Sequence, residues 1–222
     1  MATGKFDAQN RSQMAETTLD LLDAVAENEA ISQRGLAERL GVALGLTNAV
    51  LKRCVKKGLL KIRQVPARRY AYYLTPQGFA EKSRLTAEYL SHSLQFYRTA
   101  RQEYADIFRY CATRGWNRVV VVGATDLAEI ATLAAAGTGV AIVGILDPGR
   151  NEALFCDLPI YQKLDDIPSS RRPNAVIIAD LADPQLVFDG LSAVLPEGRV
   201  LTPKFMRVTG ASTQPLAGAN DI

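Results

Sequence analysis

Between Ile31 and Thr75 the hydrophobic positions follow a helical period twice and then a strand period twice. In SQRGLAERLG, Leu36, Ala37 and Leu40 recur at helical spacing behind Ser32, whose hydroxyl suits an N-cap, and the run ends near Gly41. A second helix is expected from Ala43 over ALGLTNAVLKRCVKK, with Leu44, Thr47, Leu51, Cys54 and Val55 on one buried stripe and Gly58 as a left-handed C-cap. LLKIRQV and RRYAYYL then alternate like strands joined by a short turn at Pro66 and Ala67.

Thr75 can cap a third helix whose first position is Pro76, and no strong breaker follows before Gly115. Along it Leu90, Leu94, Tyr97, Arg101, Tyr104, Phe108 and Cys111 keep a 4,3 spacing, the seam of a two-helix coiled coil interrupted at Arg101. Such a stripe can pack inside one subunit or pair two subunits; the dimer is the expectation adopted.

From Asn117 the texture becomes alternating apolar strand and helix. Strands are expected at Arg118 to Val122, Val140 to Leu146, Leu158 to Tyr161, Ala175 to Ala179 and Arg199 to Leu201. Helices are expected over LAEIATLAAA and DPQLVFDGLSAVL, with a brief helical turn at Leu164 to Ile167. This order predicts a small parallel sheet with helices on both faces. The fold class is therefore α/β in four parts: a domain of helices and a hairpin over 1–75, a connecting and dimerising helix over 76–114, an α/β domain over 115–208 and a loose, small and polar tail over 209–222.

Charge divides the chain the same way. Residues 1–114 hold 18 basic and 11 acidic side chains, net +7, and residues 115–222 hold 8 and 12, net −4. Between Ala43 and Ala80 there are eight Lys or Arg and no Asp or Glu. One-sided charge on a helix-turn-helix pattern with a basic hairpin is the footprint of a protein that sits on the phosphates of double-stranded DNA. The stripe leaves Gly45, Leu46, Asn48, Ala49, Lys52, Arg53 and Lys56 on the open face of the second helix. Asn48, Lys52 and Arg53 are expected at base edges or nearby phosphates, and Arg63, Arg68 and Arg69 on the backbone through the hairpin.

ISQRGLAERLG, KKGLLK and YLTPQGFAEKSRLT resemble the winged helix regulators of the MarR type, in particular the branch associated with exopolysaccharide gene clusters. The resemblance covers about Thr17 to Tyr104 and implies transcriptional control as a homodimer, with surface polysaccharide genes as the expected target. This chain departs from that branch by continuing for another hundred residues.

In a parallel sheet, ligands bind beyond the carboxyl ends of the strands. The loops concerned are Gly123 to Leu127, Asp147 to Arg150 and Asp180 to Asp183. Gly123, Ala124, Thr125, Asp126, Leu127 and Ala128 keep the first glycine and closing alanine of a dinucleotide fingerprint, but Thr125 stands at the middle glycine, where backbone must approach a pyrophosphate. Asp126 also competes with an anion for the positive end of the following helix. Asp147, 24 residues after Gly123, is placed either to accept from a ribose hydroxyl or to serve as a solvated turn residue. VVVVGATDLAEIATL, AIVGILDP, LPIYQKLDDIP and VIIADLADP resemble the nucleotide-binding Rossmann domains of sugar acyltransferases and nucleotide-sugar dehydratases over about Trp116 to Met206, and also the domain of NADH-sensing repressors. A nucleotide or nucleotide-sugar effector held by Gly123, Ala124, Thr125, Asp126, Leu127, Asp147, Arg150 and Asp180 is what that implies. A ligand-free oligomerisation scaffold, an NAD(H)-responsive redox repressor and a nucleotide-sugar-modifying enzyme tethered to DNA are the rival readings.

No YxxxK pair, Ser/His/Asp arrangement or hexapeptide repeat is present, so catalysis is not expected. Cys54, Cys111 and Cys156 are scattered and lack metal-ligand spacing, which speaks against disulfides and zinc; His92 is the only histidine. No apolar run reaches the roughly 20 residues of a membrane span and the N-terminus lacks a signal-peptide core, so a cytoplasmic location is expected.

Overall fold

The computed structural model describes residues 3–65 and 69–211, with side chains over 13–64 and 70–211. The described chain is mixed α/β and divides into two compact units, Met1–Leu94 and Gln95–Ile222. The expected Pro66 and Ala67 turn and the end of the tail lie outside the described residues.

The first unit holds α1 (Thr3–Glu27), α2 (Gln33–Leu40), α3 (Leu44–Lys56), β1 (Leu60–Val65), β2 (Arg69–Leu74) and the first turns of α4 (Pro76–Thr113). Ser32 caps α2 by accepting from the Gly35 N–H at 3.0 Å, and Gly41 closes it with φ 63°. β1 and β2 pair antiparallel, Leu60 opposite Leu74 through Val65 opposite Arg69. Leu21, Leu22, Val25, Leu36, Val50, Leu51, Leu60 and Tyr72 form the dry centre. Full burial of one such aliphatic side chain stabilises the fold by about 1.5–3 kcal/mol.

Two sequence expectations change here. α1 was not anticipated: its apolar residues are gathered into its last turns, where Leu19, Leu21, Leu22, Ala24 and Val25 enter the core. The stripe of α3 is centred on Thr47, Val50, Leu51 and Cys54, an i, i+3, i+4, i+7 set. Leu44 lies at its margin and is exposed, while Val50, absent from the expected stripe, is buried.

At the start of α4 the Gly78 N–H donates to Thr75 Oγ1 at 3.0 Å, and the Thr75 hydroxyl donates to the Gly58 carbonyl at 2.6 Å, so the expected cap also ties the helix to the end of α3. A Cβ at Gly78 would lie 2.1 Å from the Leu59 carbonyl oxygen. Only glycine allows these two backbones to lie so close.

The second unit takes the last turns of α4, then β3 (Arg118–Val122), α5 (Asp126–Ala135), β4 (Ala141–Leu146), β5 (Leu154–Phe155), β6 (Leu158–Tyr161), β7 (Ala175–Ile178), α6 (Pro184–Ser192) and β8 (Val200–Leu201). Strand order is β5-β6-β4-β3-β7-β8, parallel except for the edge hairpin β5–β6, which the apolar pattern did not announce. Val119 and Val121 pack with α5 and the end of α4, whereas Val120 and Val122 pack with Val187, Leu191 and Leu195 of α6 and the turn after it. Both faces are covered, which is why β3 reads as an unbroken valine run.

The seam along α4 is also revised. Tyr104, Phe108 and Cys111 are buried in the core of the second unit, and the Tyr104 hydroxyl donates to the Ile178 carbonyl at 3.1 Å. Leu90, Leu94 and Tyr97 are exposed. The periodicity therefore joins two faces with different tasks. Among the described residues no helix is long and apolar enough to cross a membrane.

Candidate nucleic-acid interface

The turn between α2 and α3 leaves the first residues of α3 standing clear of the core. Ala43 precedes the helix without a side-chain cap, so its N-terminal amides have no competing side chain there. Behind them Thr47 Oγ1 donates to the Ala43 carbonyl at 3.3 Å and anchors the buried face. Gly45, Leu46, Ala49, Lys52, Arg53 and Lys56 are exposed together, as the stripe implied, joined by Leu44; Asn48, expected on the same open face, is half-buried instead, because it turns toward the hairpin.

Lys61 and Arg63 continue the basic surface on β1. Among the described residues none of Lys52, Arg53, Lys56, Lys57, Lys61 or Arg63 has an acidic partner within 4.0 Å. By contrast Arg34, Arg39, Lys82, Arg84, Arg109 and Arg150 are paired. Uncompensated cations on one helix and the adjoining strand attract phosphate through counterion release. Arg68 and the side chain of Arg69 lie outside the described residues.

A cavity of about 560 Å³ opens between α3 and the hairpin, lined by Gln33, Asn48, Leu51, Lys52, Val55, Lys56, Ile62, Tyr70 and Tyr72. Gln33 Nε2 donates to the Tyr72 hydroxyl at 3.0 Å. Asn48 is half-buried, and its Oδ1 is enclosed without a hydrogen-bond partner. Among the described residues this oxygen has no donor, and an enclosed acceptor left unmade costs about 1–3 kcal/mol.

In the second unit, the order of strands reverses on either side of β3, so the loops after β3, β4 and β7 meet beyond their carboxyl ends. Gly123 has φ 94°, and a Cβ there would lie 2.9 Å from the Asp180 Cβ. The Ala124 N–H donates to Asp147 Oδ2 at 2.8 Å and the Gly149 N–H to Asp147 Oδ1 at 2.9 Å. Arg150 Nη2 donates to the Ala124 carbonyl at 3.1 Å. Thr125 caps α5, its oxygen accepting from the Leu127 N–H at 3.2 Å and donating to the Ala179 carbonyl at 2.5 Å. Asp180 Oδ1 accepts from the Ala182 N–H at 2.8 Å, and Asp126 opens α5. The structure thus brings all eight expected loop residues together, with Asp147, Thr125 and Asp180 bonded to the loops themselves. Sequence spacing left Asp147 either a ribose acceptor or a solvated turn residue; in the fold it accepts from the Ala124 and Gly149 N–H groups, the first of which the packing of β4 against β3 brings within reach.

Residues 14–61 match the family model described as winged helix-turn-helix DNA-binding. No curated protein matches the chain. Among solved structures, a MarR family transcription regulator is 21% identical over 37% of this chain and 56% of its own, with TM-score 0.34. The PcaV transcriptional regulator from Streptomyces coelicolor, in complex with its natural ligand, is 22% identical over 42% of this chain and 74% of its own, with TM-score 0.35. Human N-acetylserotonin methyltransferase in complex with SAM is 12% identical over 91% of this chain and 79% of its own, with TM-score 0.32. This chain spans about half the length of the first of these. The family match falls on α2, α3 and the end of α1, so the chain carries a winged helix-turn-helix DNA-binding segment.

Proposed function

We propose that the chain is a DNA-binding transcription regulator of the MarR type, acting as a non-catalytic homodimer. The observation that carries this reading is the uncompensated row of Lys52, Arg53 and Lys56 on α3, continued by Lys61 at the end of the segment that matches a DNA-binding family and by Arg63 just beyond it on β1. α3 lies in the major groove with Gly45 and Ala49 toward the bases, Asn48 being turned into the cavity beside the hairpin, and the hairpin with Arg63, Arg68 and Arg69 follows the backbone. Two copies, paired through the open stripe of α4, present two reading helices to a palindromic site.

The test is fluorescence anisotropy on labelled duplex across a salt series. Lys52→Ala or Arg63→Ala should weaken binding to every sequence and lower the slope of log affinity against log salt by about 1 each. Unchanged slopes for both would place the reading head elsewhere, and absence of affinity for any duplex at low ionic strength would remove the reading.

For the second unit, a nucleotide or nucleotide-sugar effector at Gly123 to Leu127, Asp147, Arg150 and Asp180 and a link to polysaccharide genes have only the sequence resemblance behind them. The loop hydrogen bonds support the scaffold reading instead. The Ala124 N–H, a donor that a bound phosphate would need, is committed to the Asp147 carboxylate. That carboxylate carries the same sign as a phosphate and would repel it. A thermal-shift panel of NAD(H), NADP(H) and UDP- and GDP-sugars decides between them: no change in melting temperature is expected, and a concentration-dependent rise with any member would restore the sensor.

A further inference from the structure

α3 combines two features that its own fold does not require. Its exposed first turns carry Leu44 and Leu46, at 47% and 39% exposure, where a solvated helix would place polar side chains. Between them stands Gly45, and a Cβ built there meets nothing within 4 Å. Within a helix glycine is less favourable than alanine, and neither positive φ nor crowding asks for it here. A small residue with open space around it makes physical sense when a partner closes in on that space.

Resting on the DNA-binding reading, we propose that the first turns of α3 read thymine by apolar contact: Leu44 and Leu46 pack against C5-methyl groups in the major groove, and Gly45 with Ala49 lets the helix seat deeply. The N-terminal residues of a reading helix are those that meet base edges. On α3 the cationic side chains begin only at Lys52, so the bidentate donors that recognise guanine lie beyond those turns. Asn48 is the one polar side chain among Leu44 to Leu51 able to pair with a base amide, and its Oδ1 is enclosed. What remains for base discrimination is apolar surface. Thymine's methyl is the apolar group that the major groove displays.

The experiment starts from a duplex selected by the full chain out of a random pool, followed by replacement of each thymine with deoxyuridine, which deletes only the methyl. Affinity should fall roughly fourfold at each contacted thymine, the factor corresponding to burial of one methylene-sized group. Leu46→Ala should weaken binding to the thymine duplex and abolish the deoxyuridine effect at its own position. Gly45→Ala should bind more weakly while melting at the same or a higher temperature, separating contact with DNA from folding. Tight binding to the selected duplex with every deoxyuridine substitution silent, a selected site without thymine, or full affinity of Gly45→Ala would overturn this proposal and leave the regulator reading standing. Failure to bind any duplex would overturn both.

Discussion

Asp20 and Thr75 show how a single side chain is set by what surrounds it. The Asp20 carboxyl is held above its ordinary value of 3.8, first by burial and then by the negative charges of Glu16 and Asp23. A carboxyl whose folded pKa is raised binds its proton more tightly in the folded state, so its contribution is fullest below the unfolded value and lost as pH rises through the folded one. Asp20→Asn should therefore raise the melting temperature at pH 7, with the gain vanishing below about pH 4, as followed by circular dichroism. An equal gain at both pH values would assign the effect to packing. Burial likewise pushes the Cys54 thiol up to about 11 and the Cys111 thiol up to about 12, which keeps both as apolar filling.

The start of α4 is where one helix depends on the backbone of another segment. Thr75 caps the helix and binds Gly58, while Gly78 passes against the Leu59 carbonyl. Gly78→Ala should destabilise the first unit by about 1–3 kcal/mol, because the added carbon must push the two backbones apart. Gly190→Ala is the control, since a Cβ there meets nothing within 4 Å; chemical denaturation that finds the two variants equal would contradict the close approach. The same helix shows how one apolar period can serve two purposes: Tyr104, Phe108 and Cys111 complete a core, and Leu90, Leu94 and Tyr97 stay open.

That open stripe makes an expectation for the intact chain. Light scattering should give a mass near twice 24.1 kDa, and Leu90→Asp with Leu94→Asp should return it to the monomer by burying charge at the joint. A monomer for the unaltered chain at micromolar concentration would remove the homodimer and with it the paired reading of two half-sites. The +7 and −4 halves set the polarity of any encounter: the first half approaches phosphate, and the second is repelled by it.

Elements with strong local signals are legible in the sequence itself. The Ser32 cap, the Gly41 and Gly58 ends, the Thr75–Pro76 start and the valine run of β3 depend on neighbours a few residues away, so the chain declares them directly. The cluster of Lys52, Arg53, Lys56, Lys61 and Arg63 was equally readable, because charge that must stay in water leaves a compositional mark. α1 was missed since its apolar residues fill only one end, and the β5–β6 hairpin since two-residue strands carry no period. Which of Leu44 and Val50 is buried, which half of the α4 stripe meets its own sheet, and that Asp147 meets the Ala124 N–H are decided by contacts between segments far apart along the chain. A sequence specifies that an apolar side chain will seek cover and an acceptor will seek a donor; only the packed fold determines which partner is within reach.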